Sequence, residues 1–449
     1  MSPSKTTILT REQRRQRGRL CRNTVKRVDQ ANWNPKDRKY EVVDLLLASQ
    51  KGRLPSLLPI KWAHMAASPF GFFRGAVPLM AADLAPLPRT GLMAQLCGDA
   101  HVQNMGAFEA PDGRLIFDIN DFDETISGPW EWDVKRMAAS LVLAGREAGN
   151  SEKQCHNAVL AFARTYRQWM DRFSELPVVE LARFQIYRKI DLLRSVLRKA
   201  ERTTPLHNLE KLTVLRAGRH VFHDQKPTQY HIPEKNAAAV VASLQSYTRT
   251  LLRERAQFFA QYQVEDVAFR VLGTGSVGLR DYILLMFAGA IYDPLFIQIK
   301  EEPGSAYASY LPHSPVARHE GQRVAEGGRA MQMQSDIFLG WTTIAGCHYV
   351  VRQLRDHKAG IEEEDLKGNG LVEYAEMCGQ LLSKGHARSG DSCATSGYLG
   401  RNNDKFDQAM TVFGIHYANQ TVKDWEQLKR AIRAGRVHVA RPAPAAKHK

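Results

Sequence analysis

The sequence predicts an α+β protein, and three observations carry that reading. Apolar residues recur at helical spacing from Trp132 to Ala148, from Ser151 onward, and over Glu234 to Tyr262. From Val267 to Leu354 the pattern changes to short β-prone runs separated by glycine and proline. Helical spacing returns at Leu371 to Lys384, Asp404 to Ala418 and Val422 to Arg433.

Taken in order, residues 1–30 are polar and basic and read as loose. Val42 to Leu58 reads as a helix ending in a turn at Pro55, and Ser68 to Gly75 as an aromatic, extended segment. The apolar run Ala94 to Cys97 delivers Gly98-Asp99. Met105 to Phe108 and Arg114 to Ile119 flank Ala110-Pro111-Asp112-Gly113, which predicts a hairpin. Val134, Met137, Ala138 and Leu141 share one helix face. Val159, Phe162, Tyr166, Met170 and Phe173 share another in the helix that Ser151 starts. Ala268 to Leu272, Leu279 to Phe287 and Leu295 to Lys300 predict three strands, with a glycine loop between the first two and a turn at Asp293-Pro294 before the third. Arg318 to Met333 predicts a helix and His348 to Leu354 a strand. The Pro/Ala/Lys segment Arg441 to Lys449 predicts a disordered tail.

Composition narrows the function classes. At 449 residues, with 44% hydrophobic and 24% charged residues, the chain can bury large cores in two or three subdomains. The best apolar stretch, Tyr282 to Ile299, is broken by Asp293-Pro294, so no membrane span is expected. No secretory h-region is visible, and the six cysteines form no C-x-x-C pair. These features predict a cytoplasmic protein without a zinc site or disulfide framework. The net charge of +15 is concentrated in Arg11 to Arg27, between Arg183 and Arg219, and in Lys429 to Lys449. Such a field attracts nucleic acid, anionic surfaces or nucleotides, although no zinc-finger or RNA-recognition signature accompanies it.

The chemistry concentrates in Gly98-Asp99-Ala100-His101-Val102-Gln103-Asn104 and in Phe117-Asp118-Ile119-Asn120-Asp121-Phe122-Asp123-Glu124. An Asp followed by an Asn at this spacing, and then by an acidic strand end, suits Mg2+-dependent phosphoryl transfer. Asp99 would orient the attacking hydroxyl, with His101 supporting the loop. Asn104 and Asp121 would hold Mg2+. On an extended strand Asp118, Asp121 and Asp123 fall where all three could share a face, so Asp118 and Asp123 stay open as metal ligands. Gly273, Gly275, Ser276 and Gly278 form a loop between β-prone runs, where backbone amides can cover ATP phosphates. Lys300 closes an apolar strand and needs a partner if buried; Glu326 is the first choice and Glu320 the second. Asp133 reads either as a helix cap or as a brace for the catalytic loop.

With these residues in hand the chain resembles the bacterial domain-of-unknown-function family 2252. The likeness lies in Met65 to Gly75, Gly98 to Gly106 and Phe117 to Arg136. It continues in Gly273 to Gly278, Gln298 to Glu301, Tyr349 to Lys358 and His386 to Asp391. The catalytic segments are also similar to those of aminoglycoside phosphotransferase and choline kinase-like proteins. That similarity implies a protein-kinase-like two-lobe fold, with Asp99 as base, Asn104 and Asp121 on the metal, and a Lys300–Glu326 pair. The large-lobe motifs come first here, which implies circular permutation with the break near Leu381 to Arg388 and an added helical region.

The implied organisation is a flexible basic segment at 1–30, a catalytic-loop and helical large-lobe region at 31–262, and a β-rich nucleotide-binding region at 263–360. A helical region completing the large lobe follows at 361–437, with a tail at 438–449. Acceptor specificity is expected between Ser151 and Tyr262. The acceptor, a small molecule or a protein, is not readable from the sequence. Nucleotidyl transfer, a non-catalytic nucleotide- or polyanion-binding scaffold and a metal-dependent hydrolase using His101 are the competing expectations.

Overall fold

The computed structural model describes residues 8–440 apart from 186–195, 197, 199, 202–203, 272, 274, 290–292, 313, 315–316 and 355–358. The predicted tail Arg441 to Lys449 lies outside the described residues. The architecture is α+β, with a helical layer and a separate antiparallel sheet that has helices of its own.

The helical layer is built around Glu131–Glu147, nearly every residue of which is buried. Glu152–Glu175, Asn369–Ser389 and Lys405–Arg433 pack around it. Ser151 caps the second of these helices, its hydroxyl accepting from the Gln154 N–H while the Gln154 side chain accepts from the Ser151 N–H. The ring of Trp130 stacks on Tyr166 with centroids 5.6 Å apart, joining two of the helices.

The largest sheet has six antiparallel strands, Gly340–Ile344, Cys347–Gln353, Pro294–Glu301, Asp281–Phe287, Gln263–Arg270 and Gln229–His231, adjacent in that spatial order. One face packs against Val240, Tyr247 and Phe259 from Glu234–Thr248 and Arg253–Phe259. The other covers Ile283, Leu285 and Phe296 with Leu209, Leu212 and Phe222. A strand buried on both faces explains why Tyr282 to Phe287 is continuously apolar rather than alternating.

Two small sheets carry the segments around Asp99 and Asp118. Met93–Leu96 pairs with Ile126–Pro129. Met105–Glu109 pairs with Leu115–Ile119 in the predicted hairpin, and Ala359–Gly360 adds a third strand. Among the described residues, no helix is long and apolar enough to cross a membrane.

Several expectations are corrected. The basic N-terminus is not loose: Arg11–Leu20 is a helix with a Thr10–Gln13 capping box, lying close against Ser392–Leu399. Its arginines are engaged, Arg14 with Asp391 (3.4 Å) and Arg15 with Glu175 (2.7 Å). Ser68 to Gly75 is helical over Pro69–Gly75, because Ser68 Oγ accepts from the Gly71 N–H (2.9 Å) and Pro69 sits at the first helical position. The helix from Val42 ends at Ala48 and a new one begins at Leu58, while Glu234 to Tyr262 is two helices. The two predicted C-terminal helices are one, Lys405–Arg433. Inside the stretch expected to be helical, Thr213–Arg216 and Arg219–Phe222 form a hairpin.

Candidate active site

The loop carrying Asp99 leaves the strand Met93–Leu96 through Gly98, whose φ of +83° suits glycine. A Cβ there would lie 2.2 Å from the Glu124 carbonyl oxygen. The N–H groups of Cys97 and Gly98 donate to the Asp133 carboxylate at 2.8 and 3.0 Å. Asp133 also lies 3.2 Å from His386 Nε2, and His386 Nδ1 lies 2.9 Å from the Tyr166 hydroxyl. Of the two readings of Asp133, the geometry is that of a brace for the catalytic loop.

Asp99 accepts from Arg136 Nε at 2.6 Å and keeps 15% of its side chain exposed, toward the cleft. Burial raises its pKa, Arg136 pulls it back, and Asp121 and Glu124 add to the rise, leaving it at about 6. A carboxyl titrating there is a workable proton acceptor near neutrality. His101 is held neutral by burial, with Arg74 and Arg136 opposing its positive form. Its Nδ1 accepts from the Gln103 N–H (3.2 Å), which directs the Nε2 proton toward Asp99 Oδ2 at 3.6 Å. Asn104 donates to the Asp99 carbonyl oxygen (2.9 Å), tying the two ends of the loop together.

The acidic strand end divides in two. Asp118 lies within Leu115–Ile119, fully buried, and pairs with Lys384 of Asn369–Ser389. Asp118 stands an odd number of positions from Asp121 and Asp123, so alternation itself sets it on the opposite face. The strand also ends at Ile119, before the other two, and the expected shared face does not exist. This removes Asp118 from the metal set. Asp121 and Asp123 lie in the following loop, where the Asp123 N–H donates to Asp121 Oδ1 (3.1 Å). Burial and the neighbouring Asp123 raise the pKa of Asp121. For Asp123, Lys300 and Arg352 together outweigh burial and hold it below the usual carboxylate range. The helix Glu320–Met331 approaches this loop through two glycines: a Cβ on Gly327 would lie 2.4 Å from Thr125 and one on Gly328 3.4 Å from Phe122.

The glycine loop joins Gln263–Arg270 to Asp281–Phe287, with φ of +68° at Gly273 and +94° at Gly278. Leu54 N–H donates to the Gly278 carbonyl (2.7 Å), anchoring the loop's far end to the helical layer. Lys300, near the end of Pro294–Glu301, is buried and pairs with Asp123. Its predicted partner is elsewhere: Glu326 is exposed and accepts from Gln322 (2.7 Å). Val324, Ala325 and Gly328 occupy the buried side of that helix, which turns Glu326 to solvent. Glu320, the second choice, pairs with Arg323 (2.5 Å).

Sequence reasoning missed four groups around Lys300. Glu302 lies 3.9 Å from it, and neither Glu302 carboxyl oxygen has a hydrogen-bond partner among the described residues. Burial and Asp123 push the Glu302 pKa well above its ordinary value. Arg352 donates to Gln298 (2.8 Å), its cross-strand partner. Gln298 donates to Asp281 (2.7 Å), whose pKa burial lifts to about 7. The polar residues within the apolar runs at 281–300 were the available signal.

These groups line two adjoining cavities. The first, about 800 Å3 with its solvent mouth, collects Asp99, His101, Asn104, Asp121, Asp123, Glu302, Gly273, Gly275 and Ser276. The second, about 940 Å3 on the same measure, collects Lys300, Arg352, Arg270, Asp281 and Gln298, and shares Asp121, Gly273 and Ser276 with the first. Glu326 lines neither, nor does Gly278. Among the described residues no three His, Cys, Asp or Glu side chains converge as a metal cage. Asp121 and Asn104 line the same cavity, and their side-chain oxygens are of the kind that would suit an Mg2+ completed by phosphate and water.

A family described as "Uncharacterized protein conserved in bacteria (DUF2252)" matches residues 53–431. Neither the curated proteins nor the solved structures contain a match. With most of its length covered by that family's pattern, the chain belongs to the DUF2252 family.

Proposed function

We propose that the chain is an ATP- and Mg2+-dependent phosphotransferase on a kinase-like two-lobe scaffold in circularly permuted order. The observation that carries this is convergence. Asp99, Asn104 and Asp121 meet Gly273, Gly275 and Ser276 at one cleft, although the two sets are far apart in sequence. A glycine loop between antiparallel strands, a buried lysine on the strand that follows and a helix before Gly340–Ile344 support the small-lobe half of the reading. The permutation is supported by Asn369–Ser389, which follows the sheet in sequence yet gives Lys384 to Asp118 and His386 to Asp133.

In this reading Asp99 orients the acceptor hydroxyl and takes its proton, with Arg136 and the braced loop fixing the carboxylate. Lys300 and the glycine loop hold the nucleotide phosphates. Asn104 and Asp121 would hold Mg2+, which when bound neutralises phosphate charge. Asp123 keeps Lys300 ionised in a buried site.

The test is thermal denaturation of wild type and Lys300→Ala with and without Mg-ATP, followed by product analysis. Wild type should gain about 2.7 kcal/mol at one hundred times the dissociation constant, and Lys300→Ala should not. Release of ADP supports phosphoryl transfer, whereas pyrophosphate would redirect the reading to nucleotidyl transfer. The absence of any shift at millimolar nucleotide would defeat it.

A further inference from the structure

The cleft wall formed by residues 49–78 carries three cations, each from a different local element. Arg53 follows the helix Val42–Ala48, Lys61 lies in Leu58–Ala67, and Arg74 lies near the end of Pro69–Gly75. All three line the cleft that holds Asp99, Asn104 and Asp121.

Their partners are few. Lys61 is 3% exposed, and its ammonium reaches one acceptor, the Gly275 carbonyl oxygen, at 3.4 Å. Arg53 Nη1 donates to the Val277 carbonyl oxygen (2.7 Å). Arg74 Nε is buried without a hydrogen-bond partner. Among the described residues none of the three forms an ion pair with a carboxylate, whereas Lys300 at the adjoining cavity has Asp123. Lys61 is buried, and Arg53 and Arg74 are half-buried. Asp99, Asp121, Asp123, Glu124 and Glu302 line the same cavity but stand beyond ion-pair distance, which leaves N–H groups of the three cations open to an anion in direct contact. Burial accordingly pushes the Lys61 pKa down, and Arg53 beside it adds to that.

The chemistry of the missing partner follows from the donors. Two guanidinium forks and one ammonium offer more N–H groups than a carboxylate can accept, and match a tetrahedral dianion. The burial of Lys61 restricts entry to a group that can penetrate the cleft. Among the described residues, none from Ser151 to Tyr262, the stretch expected to set acceptor specificity, lines this cavity.

We propose that Arg53, Lys61 and Arg74 bind a phosphate group carried by the acceptor, making the second substrate a phosphate-bearing small molecule. This rests on the phosphotransferase reading for the word acceptor, and on the cavity alone for the anion. In the transfer step the acceptor hydroxyl oxygen forms a bond to the γ-phosphorus, and the bond from that phosphorus to the bridging oxygen of ADP breaks. The hydroxyl proton passes to Asp99, while the acceptor's own phosphate stays on the three cations.

The experiment is calorimetric titration of inorganic phosphate into the full chain, with acetate as the carboxylate arm, alone and saturated with a non-hydrolysable Mg-ATP analogue. Phosphate should bind in both states and acetate should not. Lys61→Met and Arg74→Gln should each weaken phosphate about tenfold or more. Arg74→Lys should recover part of that loss, and neither Arg74 variant should change analogue affinity. The melting temperature of Lys61→Met should equal or exceed that of wild type, which separates lost binding from lost folding. Phosphate binding that ignores these substitutions, or that the analogue displaces, would overturn the proposal, as would no phosphate binding or acetate binding equally well. Failure of the analogue alone to bind, with phosphate still sensitive to Lys61→Met, would sink the nucleotide reading and leave the anion site standing.

Discussion

Arg38, Arg167 and Lys384 are buried in the helical layer, as Lys61 is at the cleft, yet the two regions handle charge in opposite ways. Arg38 is clamped between Asp83 (2.6 Å) and Asp424 (2.9 Å), Arg167 meets Asp407 (2.8 Å), and Lys384 pairs with Asp118. Lys61 has a carbonyl at 3.4 Å and no carboxylate. A paired buried cation is part of the scaffold and constrains which helices can meet. An under-partnered one at a cavity is held ready for something that arrives later.

The sharpest way to break this contrast is to unpair a scaffold cation. Asp407→Ala should cost roughly 3–5 kcal/mol, read as a lower urea midpoint, because Arg167 is then buried without its counter-charge. If the loss is no larger than for a surface substitution, the scaffold pairs are not what the contrast takes them to be.

The next effect is on chemistry. Asp99→Asn should lower ATP-dependent turnover by about 10²-fold or more while leaving Mg-ATP binding in place, as judged by steady-state rates and thermal shift. A pH profile sharpens the point. With Asp99 titrating at about 6, the rate should fall as pH drops through that value. Arg136→Met should move this limb upward, since it removes the cation that favours the carboxylate. Stability runs the other way. The unfolded carboxyl titrates near 4, so the folded state's tighter hold on the proton stabilises it below about pH 4, and that contribution is lost as pH rises through 6.

The smallest effect separates two glutamates near Lys300. Glu326→Gln should change stability by less than about 0.5 kcal/mol and leave nucleotide affinity alone, since Glu326 is exposed and bonded only along its own helix. Glu302→Gln, at a buried position beside Lys300, should move nucleotide affinity in the same thermal-shift assay.

What the sequence made legible was local. Gly98 with Asp99 and Asn104, the hairpin around Pro111-Asp112-Gly113 and the Ser151 cap each depend on residues within a few positions of one another. The pairing of Lys300 with Asp123 was not legible, because it depends on how a strand end meets a loop 177 positions away. The choice of Glu326 failed on helix phase, which the buried neighbours Val324 and Ala325 could have disclosed. The group Arg53, Lys61 and Arg74 has no spacing signature, since three separate elements deliver it. The short strands at 213–231 were missed because strands of three or four residues carry too little alternation to outweigh the helices around them.

The helix Asn369–Ser389 has a consequence for synthesis. Lys384 reaches Asp118 across 266 positions, and His386 reaches Asp133 across 253. A ribosome that has released the loop around Asp99 must therefore make the entire six-stranded sheet before the loop's brace and the counter-charge of Asp118 emerge. Until then Asp118 is a carboxylate destined for burial with nothing to neutralise it, and the loop lacks the histidine behind Asp133. Any product truncated before this helix carries Asp99, Asn104 and Asp121 and lacks the side chains that brace their loops. The support of this loop therefore forms only after the sheet has been made, which orders the assembly of the two.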